Sequence, residues 1–153
     1  MRVRFLADSN VGRLARWLRA LGYDAAYETD AEDGALVRRA LAEGRILLTR
    51  DLDLTQRRVI AGGQLKTVLL KHDSVQDQLR QVASELGLDT GQALSRCLEC
   101  NLELEPRTPA EVADRVPPYV RMTQERYSEC PRCGRIYWAG THWARMRAAL
   151  ASL

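Results

Sequence analysis

A chain of 153 residues has room for one full domain and a small appendage, but not for two domains of ordinary size. Its 46% hydrophobic and 28% charged residues are those of an ordinary globular protein, and no apolar run reaches bilayer-spanning length, which excludes an ordinary transmembrane helix. The formal charge of +3 is too small to mark a nucleic-acid binder on its own.

The opening residues are interrupted by charge before an apolar region develops, so no signal peptide is expected and the default location is cytoplasmic. Of 23 basic residues only Lys66 and Lys71 are lysines. Arginine suits bidentate phosphate recognition, although a G- and C-rich genome produces the same bias.

Residues 3–6 read as a strand that ends at Asp8. Leu14, Trp17, Leu18 and Leu21 then recur at i, i+3, i+4 and i+7, the apolar stripe of an amphipathic helix stopped by Gly22. Arg13, Arg16 and Arg19 fan over the opposite side. Arg13 and Arg16, in the first turns after Asp8, are placed to reach a bound phosphate, whereas Arg19 reads as solvated. Residues 24–27 read as a second strand. Thr29 or Asp30 is the expected cap of a helix running to about Glu43, with Leu36, Val37, Ala40 and Leu41 on its buried side. Asp33 falls on that side too. It is either a functional carboxylate or a first-turn acid favoured by the helix dipole, a part that Asp30 or Glu32 fits better.

Residues 46–49 are apolar or β-branched and lead through Arg50 to Asp51 and Asp53. They read as a short buried strand delivering two carboxylates to its C-terminal end. Residues 54–61 look helical, Gly62-Gly63 turns the chain, and residues 67–70 make a fourth strand, followed by His72, which reads as a surface or cap residue. Ser74 caps a helix carrying Val75, Leu79, Val82, Ala83 and Leu86 at helical spacing and ending at Gly87. This alternation predicts a three-layer α/β sandwich with a mostly parallel sheet over residues 1–94. Composition shifts at Asp89-Thr90-Gly91-Gln92, so residues 95–153 are expected to form a second unit.

In a parallel α/β sheet, ligands bind beyond the carboxyl ends of the strands. Topology alone therefore sends Asp8, Asp33, Asp51 and Asp53 to one edge. Carboxylates crowded there would repel one another unless a cation sat among them, and Mg²⁺ or Mn²⁺, hard cations that take oxygen ligands, fit that part. Such a site suits phosphodiester hydrolysis through a metal-activated water, with no serine, cysteine or histidine nucleophile. Arg50 joins Arg13 and Arg16 as a candidate phosphate contact. Two other readings of the edge are helix capping by Asp8, Asp51 and Asp53, and a phosphoacceptor pocket in which Lys71 would serve.

Cys97-Leu98-Glu99-Cys100 and Cys130-Pro131-Arg132-Cys133 hold all four cysteines of the chain. Two Cys-x-x-Cys pairs in a cytosolic setting signal a tetrahedral Cys₄ zinc site with no open position, hence a structural one in a small zinc ribbon; disulfides and a redox pair are the alternatives. With four thiolates and one zinc ion the net charge of +3 falls to about +1. From Arg121 onward arginines alternate with Tyr127, Tyr137, Trp138 and Trp143. Tyr137 is expected in the mini-core, and Trp138 and Trp143 either there or stacked on RNA bases. His142 reads as a hydrogen-bonded structural residue.

The segments Phe5-Leu6-Ala7-Asp8, Leu14-Ala15-Arg16-Trp17-Leu18-Arg19, Leu21-Gly22-Tyr23-Asp24 and Gly44-Arg45-Ile46-Leu47-Leu48-Thr49-Arg50-Asp51-Leu52-Asp53 resemble the PIN-like nucleases. With Ser95-Arg96-Cys97-Leu98-Glu99-Cys100-Asn101 and the stretch from Arg135 to Trp143, essentially the whole chain is similar to the Mut-seven C-terminal RNase domain family. The resemblance implies a metal-dependent RNase with acidic ligands at the positions of Asp8, Asp33, Asp51 and Asp53. Gly34-Ala35 departs from it, since relatives often carry further acids there; that leaves Asp30, Glu32 and Asp33 as alternatives. The expected activity is therefore a Mg²⁺- or Mn²⁺-dependent ribonuclease acting on RNA, with the zinc ribbon aiding binding. A non-catalytic RNA-binding or assembly module is the alternative. A toxin paired with an antitoxin protein would share the chemistry and differ in partner.

Overall fold

Aliphatic runs that are buried on both sides form the centre of the molecule. In the computed structural model, which describes residues 2–151, β1 (Phe5–Ala7), β2 (Ala25–Tyr27), β3 (Ile46–Thr49) and β4 (Thr67–Leu69) pair in parallel in the order β2-β1-β3-β4. Successive residues of a strand face opposite sides. Phe5, Ala7, Ile46 and Leu48 accordingly meet one apolar core while Leu6 and Leu47 meet another.

The first core lies under α1 (Gly12–Ala20) and α5 (Val75–Leu86), which contribute Leu14, Trp17, Leu18, Leu79 and Val82. The second lies under α2 (Asp33–Glu43) and α3 (Leu52–Thr55), through Leu36, Val37, Ala40 and Leu54. The result is the expected three-layer sandwich. The Ser74 hydroxyl accepts from the Asp77 amide at the start of α5, and left-handed Gly87 closes its end.

Three local expectations need correction. The cap of α2 is Glu32, without a side-chain bond, not Thr29 or Asp30. Leu41 is 45% exposed, because the apolar stripe of α2 is only wide enough for Leu36, Val37 and Ala40. Residues 54–61 are not one helix: Asp51 caps a start at Leu52, and extended backbone at Arg57 separates α3 from α4 (Arg58–Ala61).

The second region holds an antiparallel sheet, β5 (Glu105–Arg107), β6 (Tyr127–Glu129) and β7 (Ile136–Tyr137), in that order. The long spacer between the cysteine pairs contains α6 (Pro109–Val112) and α7 (Pro118–Thr123). Val112, Val116, Val120 and Tyr127 form a small core there, with Trp138 packed against it. The last helix, α8 (Thr141–Ala151), sets Met146 and Ala149 into the first core beside α5. No helix among the described residues is long and apolar enough to cross a membrane.

Candidate functional site

Register sets the centre of the acidic edge. Ala7 of β1 lies opposite Leu48 of β3, so Asp8 and Thr49 leave the sheet side by side. The Asp8 carboxylate is 8% exposed; it accepts at Oδ1 from the Ser9 amide at 2.6 Å and at Oδ2 from the Thr49 hydroxyl at 2.8 Å. Thr49 Oγ1 accepts in turn from the Asp51 amide at 3.0 Å. Asp51 then caps α3, its Oδ1 accepting from the amides of Asp53 and Leu54 at 2.9 and 3.3 Å. A continuous run Asp8–Thr49–Asp51 therefore joins the C-terminal ends of β1 and β3. Thr49 went unnoticed in the sequence, although its position between an aliphatic strand and an aspartate was a signal: a fully buried hydroxyl there needs polar partners.

The other two acids stand at the mouths of helices. Asp53 is exposed in the first turn of α3, and Asp33 is half-buried as the first residue of α2. The guanidinium groups of Arg38 and Arg57 come to 3.2 and 3.9 Å from where a side chain on Gly34 would begin, so the space beside Asp33 is occupied by basic groups. Asp30 and Glu32 are exposed. Among the described residues, no three of these carboxylates gather as closely as the cysteines do.

Beside this edge a cleft of about 590 Å³ runs along α1 from Ser9 to the first cysteine knuckle. Arg13, Arg16 and Arg19 line it, and they do different things. Arg13 is exposed and has no hydrogen-bond or ion-pair partner among the described residues. Arg16 pairs with Glu99 of the knuckle, which holds that carboxyl below its ordinary value. Arg19 is not solvated as expected: it donates to the carbonyls of Ala25 and Leu98 at 2.8 and 2.6 Å. Arg50 pairs with Asp73 at the exposed rim.

The cysteines converge. One ligand atom from each of Cys97, Cys100, Cys130 and Cys133 lies within 4.8 Å of the others, and Cys97 and Cys133 are 3.7 Å apart at sulfur. The edge of a tetrahedron of Zn–S bonds of about 2.3 Å is about 3.8 Å, whereas a disulfide needs about 2 Å. Amides of Cys100 and Arg132 donate to Cys97 and Cys130 sulfurs at 3.3 and 3.4 Å, the turned-in amides expected of metal knuckles. Burial pushes the Cys97 thiol up, but the Tyr137 hydroxyl and the Cys100 and Glu99 amides outweigh it and bring it down to about 7. Burial and the neighbouring thiols push Cys100 up to about 12, a direction that a bound cation would oppose. Soft donors at this spacing fit zinc.

Tyr137 is only half-buried, with its hydroxyl 3.2 Å from Cys97 Sγ, so it braces the knuckle more than it fills the mini-core. Trp138 packs edge-on against Tyr127, and Trp143 packs against the first core. His142 is exposed and meets Trp17 edge-on; it has no hydrogen bond among the described residues, contrary to expectation.

No curated protein and no solved structure matches the chain. The Mut7-C RNAse domain matches it over residues 3–150, a span that takes in the parallel sheet, the acidic edge and both cysteine pairs. With nearly the whole chain covered, the protein belongs to the Mut7-C RNAse domain family, and its function is of the nuclease type.

Proposed function

We propose that the protein is a Mg²⁺- or Mn²⁺-dependent ribonuclease that hydrolyses phosphodiester bonds of single-stranded RNA, with a structural zinc ribbon that helps to hold the strand. The observation that carries this reading is the Asp8–Thr49–Asp51 run at the point where strand order reverses between β1 and β3. Open parallel sheets bind their ligands at such a switch point. Residues 1–94 would carry the chemistry and residues 95–153 the grip.

Asp8, Asp51 and Asp53 would hold the metal, with Asp33 completing the acidic set. When bound, Mg²⁺ or Mn²⁺ lowers the pKa of a water and offsets the negative charge that builds on phosphorus. Mg²⁺ keeps several of its own waters, so its carboxylates need not converge as tightly as thiolates on zinc. Ser9 and Thr49 hold the Asp8 oxygens in place before any ligand arrives, and α3 does the same for Asp51 Oδ1. That leaves Asp51 Oδ2 without a partner among the described residues. Arg13 supplies an unpaired guanidinium for a phosphate next to the reacting one.

Asp8→Asn and Asp51→Asn are expected to lower cleavage of labelled single-stranded RNA in Mn²⁺ by about 10²-fold or more, with gel-shift affinity and thermal unfolding little changed. Unchanged cleavage in both purified variants would reject the assignment. A second reading, a non-catalytic RNA-binding module, draws on the capping bonds of Asp8 and Asp51 to backbone amides. Binding without metal-dependent cleavage would favour it.

A further inference from the structure

We propose that the cleft between β7, α7 and α8 is a pocket for one unpaired base of the RNA strand, joined to the acidic edge by the arginine-lined groove along α1. This rests on the reading of RNA as substrate and adds a subsite to it. The cleft has a volume of about 530 Å³ and includes Tyr119, Arg135, Trp138 and Trp143 in its wall, with no carboxylate among its lining residues. That volume is in the range of small-molecule sites.

Three features suit a base in particular. Tyr119 is 69% exposed, an unusual state for a large aromatic side chain and one that leaves a flat face open for stacking. Trp138 and Trp143 are half-buried, and neither indole N–H donates a hydrogen bond among the described residues. Arg135 is exposed, and its guanidinium has no hydrogen-bond or ion-pair partner there either. A hydrocarbon ligand would leave those donors without acceptors. A nucleobase offers a stacking face and ring acceptors, and its phosphate offers charge for Arg135.

The connection to the acidic edge is through Leu98, which lines both this cleft and the groove that begins at Ser9. The nine residues of α1 between those ends span about 13 Å, or about four nucleotides at a stacked spacing of ~3.4 Å. A strand with a base in the cleft can thus lay its backbone past Arg16 and Arg13 toward Asp8. Glu99 has to yield Arg16 as it does so.

The test is fluorescence anisotropy of labelled oligouridylates and oligoadenylates of two to ten nucleotides on the zinc-loaded full chain, without added Mg²⁺ or Mn²⁺. Affinity is expected to rise with length up to about five nucleotides and then level off. Tyr119→Ala should weaken single-strand binding about tenfold, Tyr119→Phe should retain it, and duplex RNA should respond to neither. Arg135→Gln should flatten the salt dependence by about 0.7 in log–log slope. Both side chains are exposed, and zinc content and thermal unfolding verify that the variants fold. Equal affinity of wild type and Tyr119→Ala for single strands overturns the proposal, as does an equal loss on duplex RNA. Loss confined to an aromatic hexapeptide used as competitor would overturn it in favour of a protein segment. Because no step of this assay requires cleavage, failure of the nuclease reading shows separately, as absence of Mn²⁺-dependent product from the wild type.

Discussion

Thr49 couples the two central aspartates through a hydroxyl with no exposed surface. Thr49→Val keeps the shape and orphans both the Asp8 oxygen and the Asp51 amide. Urea denaturation should show a loss of about 1–3 kcal/mol, with activity falling further than stability explains. Glu99→Gln acts in the opposite sense. It releases Arg16 from its ion pair, so RNA binding by anisotropy should tighten and its salt dependence steepen by about 0.7 in slope. The acids themselves were legible from the sequence because each follows an apolar run on a strand or opens a helix. The fate of Arg19 was not: nothing near it in the chain reveals that a carbonyl of Ala25 lies within reach, or that Leu98 will fold back from 79 residues away. Leu41 misled for a related reason, since helical spacing nominates candidates for burial and the neighbouring layer decides how many it covers.

Among the elements, the end of α1 is the tightest junction. Gly22 has φ +88°, and a Cβ there would lie 2.1 Å from the Gln92 carbonyl oxygen; Gly63 also has positive φ but open space around it. Gly22→Ala should therefore cost on the order of 3 kcal/mol and Gly63→Ala about 1, compared by chemical denaturation. The start of β2 offers a pH test. Burial pushes the Asp24 carboxyl up, yet the Arg45 ion pair and the Asn101 amide outweigh it and hold it below its usual value. A depressed carboxylate stabilises the fold above its unfolded value and loses that contribution as the pH falls below about 4. Asp24→Asn should be less stable at neutral pH and show a flatter acid limb than the wild type. Strand β3, the Ser74 cap and the Gly87 stop were readable locally, because a buried aliphatic run, a hydroxyl before a helix and a left-handed glycine act within a few residues. The break between α3 and α4 and the helices inside the cysteine spacer were not, since periodicity over four to six residues is too short to register.

At the scale of the molecule, the cysteine region and the parallel sheet share structure. Met146 and Ala149 complete the first core, and Asn101, in left-handed conformation at φ 61°, bonds both Asp24 and the Ala25 amide. Chelation of zinc should accordingly lower the melting temperature of the whole chain in one transition, seen by far-ultraviolet circular dichroism with metal release followed in parallel. The four cysteines announced their site by spacing alone; the docking of α8 depended on a surface that only the assembled sheet provides. Strand β2 lies at the border of that sheet. Its outward-facing Ala25 amide and carbonyl are occupied by Asn101 and Arg19, and Arg19 is in turn anchored at Leu98. Metal loss would unseat this cover and bare a strand rim able to pair with another copy. Zinc starvation should then announce itself as self-association, visible by light scattering, while the aspartates still stand in place.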